Sequence, residues 1–139
     1  MLCPRLKEGE KFTSTYTGMS YNVRHNLTCK SRYVIYLITC KSCNKQYVGK
    51  TTQYMHLRYG GHRREVDNES SELGEHFAHC GMDKMSIQII DCVRQGEDEA
   101  LSILEGYWQN LLATFQANDS NINIRNEWRN YMGQQPILF

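Results

Sequence analysis

Tyr36 and Tyr47 stand with ten residues between them, Arg58 and His62 follow four positions apart, and Glu105 lies well downstream. Two phenols, a guanidinium, an imidazole and a carboxylate are a set suited to metal-assisted hydrolysis of a phosphodiester. In that reaction the attacking water must lose a proton, the developing phosphorane needs positive charge, and the leaving 3′ oxygen needs a metal or an acid. Glu105 is the expected ligand for a catalytic Mg²⁺ or Mn²⁺, because an ion of this kind keeps much of its water and takes few protein carboxylates. Arg58 is expected to fork onto the phosphate. Tyr36 is the expected base or water-positioning group, Tyr47 a hydrogen-bond partner of the phosphate, and His62 a participant in the proton transfer.

A second constellation is separate from the first. Cys40 and Cys43 form a Cys-x-x-Cys between two strand-like runs, and two thiolates at such a turn leave zinc in need of two further nitrogen or sulfur ligands. His76, His79 and Cys80 lie on one short helical stretch, where positions i and i+4 share a face. His76 and Cys80 are the preferred pair, with His79 as the alternative fourth ligand and His62 less favoured. Such a zinc would be structural, tying a hairpin to a helix. Cys3 and Cys29 receive no assignment.

The elements that must position these groups follow from periodicity. Tyr33–Thr39 and Gln46–Gly49 are rich in β-branched and aromatic residues and read as an antiparallel hairpin, with Lys41, Ser42 and Asn44 at its turn. Gln53–Val66 is helical, with Met55, Leu57 or Arg58, His62 and Val66 at spacings of three and four. Gly60-Gly61 in its middle costs about 1 kcal/mol per glycine relative to alanine, which predicts a kink or a close backbone neighbour. Residues 67–71 read as a loop ending in a helix cap, Leu73, His76, Phe77 and Cys80 as a short amphipathic helix, and Gly81 as its end. Met85–Val93 is apolar enough for a central strand. Glu97-Asp98-Glu99 opens a long helix, where negative charge suits the macrodipole, and Ala100, Leu101, Leu104, Trp108, Leu111, Leu112 and Phe115 form its apolar face.

A length of 139 residues and 40% apolar composition allow one domain with a modest core. The expected division is a basic N-terminal arm over 1–32, containing a short strand near Tyr21–Val23, a domain over 33–124 and a C-terminal tail over 125–139. No run approaches the roughly 20 apolar residues that span a bilayer, and the first ten residues are too polar for a signal peptide. No membrane association is expected, and the expected location is intracellular, in the nucleus. Cysteine spacing favours free thiols over disulfides. The net charge of +1 conceals a strong asymmetry, with twelve basic and two acidic residues up to Arg64 against four and thirteen afterwards. A net +10 followed by a net −9 predicts a basic face for a polyanion. Lys41, Lys45, Lys50, Arg63 and Arg64 are the expected DNA contacts.

Taken one at a time these residues have plainer readings. Tyr36 and Tyr47 can be a cross-strand aromatic pair, Arg58 a solvated helix charge, and Glu105 a surface residue beside the apolar stripe. Their order and spacing carry more. Val34-Ile35-Tyr36, then Tyr47-Val48-Gly49-Lys50-Thr51, Arg58-x3-His62 and Glu105-x2-Trp108 resemble the GIY-YIG nuclease superfamily over roughly Tyr33 to Asn123. The Cys-x-x-Cys between the motif halves, Leu27-Thr28-Cys29-Lys30-Ser31 before them and Leu73-Gly74-Glu75-His76-Phe77 after them are similar to the endonuclease domain of Penelope-like retroelements.

The resemblance implies an α/β (α+β) fold, a three-stranded antiparallel sheet flanked by helices, that hydrolyses DNA with one divalent metal. It places Tyr36 and Tyr47 as the motif tyrosines, Arg58 as the helix arginine, His62 one turn after it and Glu105 as the metal-binding glutamate. It also implies a Cys/Cys/His/His type of zinc site and, in a retroelement, a cut that exposes a 3′ hydroxyl for a reverse transcriptase domain on the same native polypeptide. Paired nicks would require a dimer on DNA. Val34 departs from the first glycine of the motif, and Gly60-Gly61 falls between two site residues. A catalytically silent zinc-containing nucleic-acid-binding module, and a restriction, homing or repair nuclease on the same scaffold, are the alternatives.

Overall fold

A computed structural model describes residues 11–114. The chain runs through β1 (Lys11–Thr13), β2 (Ser20–Asn22), β3 (Val34–Cys40), β4 (Gln46–Thr51), α1 (Met55–Asn68), α2 (Glu72–Cys80), a 3₁₀ turn (Met82–Lys84), β5 (Met85–Cys92) and α3 (Asp98–Leu112). The expected tail over 125–139 and the expected packing of Phe115 lie outside the described residues.

The main sheet has three antiparallel strands in the order β4-β3-β5, so β3 is central. Its even-numbered residues Val34, Tyr36, Ile38 and Cys40 face one core, shared with Met55, Val66, Leu73 and Phe77 of α1 and α2. Ile35 and Leu37 face the other, shared with Leu101 and Leu112 of α3 and with Phe12 of β1. This is the period of two that a strand imposes on its side chains, with helices covering both faces. The expected α+β fold of a three-stranded antiparallel sheet flanked by helices is the one observed.

Strand β5 takes an edge of the sheet and not the expected centre. Its apolar sequence reports that both of its faces are covered, since Met85, Ile87, Ile89 and Ile90 are all buried. Face coverage and edge pairing are different things, and only the first is written in hydropathy. Opposite Tyr36 the β3–β5 register slips, from Ile35↔Asp91 to Tyr36↔Ile89. An extra residue of this kind bends the strand and re-aims neighbouring side chains.

The short sheet β1-β2 and the loop after it pack on the domain instead of trailing from it. Phe12 and Tyr21 form an aromatic group with Trp108, ring centroids 5.0 to 5.8 Å apart. Ser14 Oγ donates to Leu112 O at 2.7 Å, and Gln88 Nε2 donates to Lys11 O at 2.9 Å. At α1 no side chain caps the first turn. Its leading amide groups find loop carbonyls, Met55 N donating to Ser31 O at 3.0 Å and His56 N to Cys29 O at 2.9 Å. Two of the orphan donors of the helix start are thus satisfied from residues that precede β3.

Helix α1 is unbroken through Gly60-Gly61, and the expected close backbone neighbour is not there. A Cβ on Gly61 would lie 3.1 Å from Arg58 Nη1, so the missing side chain makes room for the guanidinium. Met55, His62 and Val66 are buried and Arg58 is partly so, whereas Leu57 is 49% exposed. The inward stripe therefore carries the arginine and not the leucine. Ser71 caps α2 by accepting from Gly74 N at 2.9 Å, and Gly81, with φ of 105°, ends it.

Candidate active site and metal cluster

Tyr36 and Tyr47 occupy a diagonal across the hairpin, because Tyr36 pairs with Gly49 and Tyr47 with Ile38. Their ring centroids are 6.3 Å apart and both point toward α1. Gly49 is what permits this. A Cβ there would lie 2.5 Å from the Tyr36 hydroxyl and 2.7 Å from the Tyr47 ring. Gly49→Ala is expected to displace both phenols, lowering stability by about 1–3 kcal/mol, as overpacking does. Urea unfolding of the variant beside the wild type checks it.

Helix α1 delivers the next three groups at i, i+4 and i+7, one face of a helix. Arg58 Nε donates to Tyr36 Oη at 3.2 Å. His62, fully buried, has Nε2 2.6 Å from the same oxygen. Glu65 receives both partners on their far sides, with His62 Nδ1 3.3 Å from Oε1 and Arg58 Nη1 3.2 Å from Oε2. Ser71 Oγ donates to Glu65 Oε1 at 2.9 Å. Glu65 is thus a site residue without a motif of its own. Its signal in the sequence is its place three residues after His62 and seven after Arg58.

The electrostatics of the group follow from burial. Burial pushes the Tyr36 pKa well above the ordinary phenol value, with Tyr47 adding to it and Arg58 opposing it. Tyr47 is pushed up to about 12 by burial and by the charge of Glu105, while Arg58 and a hydrogen bond shared with Tyr36 pull it back. Burial lowers His62 although Glu65 opposes it, so the imidazole is neutral at pH 7. The hydrogen bond from His62, followed by that from Ser71 and the charge of Arg58, holds Glu65 at about 2 against the pull of its burial. Burial alone would lower Arg58, but Tyr36 and Glu65 together reverse the shift.

Glu105 resolves its two sequence readings in favour of the inward one. It is 6% exposed on the face of α3 that carries Leu101, Gln109 and Leu112. Lys50 lies beside it, Nζ 3.8 Å from Glu105 Oε1 and hydrogen-bonded to Ser102 Oγ. A nearly buried carboxylate with a cation alongside, close enough to raise both tyrosines, is a donor of the type that a hard divalent ion takes singly. Lys50 is therefore part of the site wall, with its side chain partly open to solvent. Lys41, Arg63 and Arg64 are exposed and Lys45 partly so.

The two phenols differ in one respect that the sequence did not show. Tyr36 is fully enclosed, whereas Tyr47 keeps part of its surface in solvent. Of the two, Tyr47 is placed to meet a substrate.

Some distance along the same face of β3, Cys40 closes the strand. Ligand atoms of Cys40, Cys43, His76 and Cys80 all lie within 4.8 Å of one another. Cys43 Sγ is 3.4 Å and Cys80 Sγ 3.6 Å from His76 Nε2. Three sulfurs and a ring nitrogen converging in this way fit the soft, four-coordinate preference of Zn²⁺. His79 is exposed and outside the cluster. Cys40, Cys43, Cys80 and Cys92 are free thiols, whereas Cys29 is disulfide-bonded, against the expectation of free thiols.

Comparison with known proteins bears on residues 32–119, which match the family of the GIY-YIG catalytic domain. Among solved structures, the catalytic domain of the intron endonuclease I-TevI, in mutant form, is similar in fold. The TM-score is 0.56 at 21% identity, over 66% of this chain and 92% of that one. No curated protein matches the chain.

Proposed function

We propose, from the premise that this chain belongs to the GIY-YIG catalytic domain family, that it is a DNA endonuclease dependent on a divalent metal ion. The observation that carries the reading is the convergence of Tyr36, Tyr47, Arg58 and His62 on one hydrogen-bonded group, with Glu105 close enough to act on both phenols. Glu105 would hold Mg²⁺ or Mn²⁺, which when bound supplies Lewis-acid stabilisation to the phosphate and the leaving 3′ oxygen. Arg58 uses Nε on Tyr36 and Nη1 on Glu65, and its other N–H groups serve a non-bridging phosphate oxygen. Tyr47, the phenol with solvent access, orients the attacking water, and Tyr36 supports it from behind. In this reading Tyr47 takes the water-positioning role that the sequence alone suggested for Tyr36.

The cysteine cluster supports a finer assignment. A Cys40/Cys43/His76/Cys80 site would hold Zn²⁺ as a tie between the β3–β4 hairpin and α2, and a knuckle at this place in the motif favours the endonuclease of a Penelope-like retroelement. The substrate is then chromosomal DNA in the nucleus, nicked by a dimer so that a reverse transcriptase domain on the same polypeptide can extend the exposed 3′ hydroxyl.

The test is conversion of supercoiled plasmid to open-circle and linear forms in Mg²⁺, against a control in chelator. Cleavage in Mg²⁺ alone is the expected result; none by a zinc-loaded, DNA-binding chain would sink the proposal. DNA affinity is expected to fall with salt at a logarithmic slope of about −3 to −4 if Lys41, Lys45, Arg63 and Arg64 each neutralise one phosphate. A flat salt dependence, measured by fluorescence anisotropy, would overturn the assignment of these four residues.

A further inference from the structure

We propose that Glu65 is the positioning residue of a proton relay. It holds His62 as the Nδ1–H tautomer, so that Nε2 receives the proton that leaves the attacking water by way of Tyr47 and Tyr36. The inference rests on the nuclease reading above and adds to it the group that ends the proton's path.

The geometry of Glu65 is fixed from three sides. Its Oε1 takes Ser71 Oγ at 2.9 Å and faces His62 Nδ1 at 3.3 Å, and its Oε2 takes Arg58 Nη1 at 3.2 Å. From α2, Gly74 is so close that a Cβ there would lie 2.3 Å from Glu65 O. A carboxylate kept ionised at Nδ1 demands a proton on that nitrogen, and a neutral imidazole has only one to give. Nε2 is then a lone pair, 2.6 Å from the Tyr36 hydroxyl. Tyr36 donates to it and accepts from Arg58 Nε.

The relay balances without a free phenolate. A water O–H bond breaks and its proton passes to Tyr47 Oη; the Tyr47 proton passes to Tyr36 Oη; the Tyr36 proton passes to His62 Nε2. The water oxygen bonds to phosphorus, the P–O3′ bond breaks, and the leaving oxygen takes a proton from solvent. The imidazolium that forms lies against Glu65, in the manner by which a buried aspartate supports the histidine of a serine protease. Buried phenols with raised pKa values are suited to passing a proton and not to holding a charge. The groups that face His62 or its partners are Glu65 and Arg58 from α1, Tyr36 from β3, Tyr47 from β4, Ser71 before α2, and Glu105 from α3 acting on the tyrosines.

Glu65→Gln keeps the size of the side chain and an oxygen for Nδ1, and removes the charge. Expected with plasmid substrate in Mg²⁺ is a fall in kcat of about ten- to a hundredfold with KM little changed. The acid limb of the kcat profile should move to lower pH, because His62 loses the carboxylate that raises its pKa. Glu65→Asp retains the charge and is expected to leave that limb near its wild-type position, whereas loss of Arg58 alignment alone would move no limb in this range. Nitrogen NMR of the full chain reads the same inference without turnover, as an Nδ1–H tautomer in the wild type and a His62 titration displaced downward in Glu65→Gln. An Nε2–H tautomer, or a limb and a titration unmoved in a folded Glu65→Gln variant of an active wild type, overturns the relay. A wild type that cleaves no DNA overturns the nuclease reading itself, and the relay with it.

Discussion

Glu105→Gln is expected to lower plasmid cleavage by about a thousandfold while leaving the fold and DNA affinity near those of the wild type. The metal's contribution to phosphoryl chemistry is several kcal/mol, and each 1.36 kcal/mol is a factor of about ten in rate. The substitution removes the carboxylate without changing its volume, at a position only 6% exposed where a truncation to alanine would also leave a cavity. Lys50 retains Ser102 as a partner, so the wall of the site keeps one of its two ties. The measurement is single-turnover cleavage across a range of Mg²⁺ concentrations, with calorimetry for binding. A folded variant that keeps activity within about tenfold would remove Glu105 from the metal site.

The second large effect concerns the cysteine cluster. Structural zinc in small domains contributes apparent binding energies of about 10–16 kcal/mol, and a whole domain is stable by only about 5–15 kcal/mol. Cys40→Ser is therefore expected to lose zinc on dialysis and to be unfolded, or nearly so, at 37 °C. Cys40 is fully buried at the end of the central strand, so the loss opens the core at the point where hairpin and α2 meet. Strong chelation of the wild type should reproduce it. Metal content by emission spectroscopy and thermal melts check both. A Cys40→Ser chain with stoichiometric zinc, or with the wild-type melting temperature, would show that the cluster is not a structural metal site.

Much of this arrangement is legible in the sequence, and the parts that are not share a cause. Strand and helix assignments rest on which side chains are apolar, so β3, α2 and α3 appear where periodicity puts them. The edge position of β5 does not, because pairing is made by backbone groups that every residue has. Gly60-Gly61 reads as a backbone signal, yet it answers to a side chain, the Arg58 guanidinium lying over Gly61. Glu65 carries no motif and is one acidic residue among many until α1 sets it against His62 and Arg58. The difference between Tyr36 and Tyr47 is likewise invisible in two tyrosines of equal β-propensity. It arises from the register that sets Tyr36 opposite Gly49 and beneath His62.

The loop that meets the first turn of α1 has a consequence for what counts as the unit here. Residues 32–119 carry the family signature, but Cys29 O and Ser31 O hold the start of the helix that carries Arg58 and His62, and Phe12 closes the far core beneath α3. The stretch that is recognisable by descent is shorter than the stretch that must fold together. A cut through the chain at the family boundary would preserve every catalytic side chain and remove the brackets on which their helix hangs.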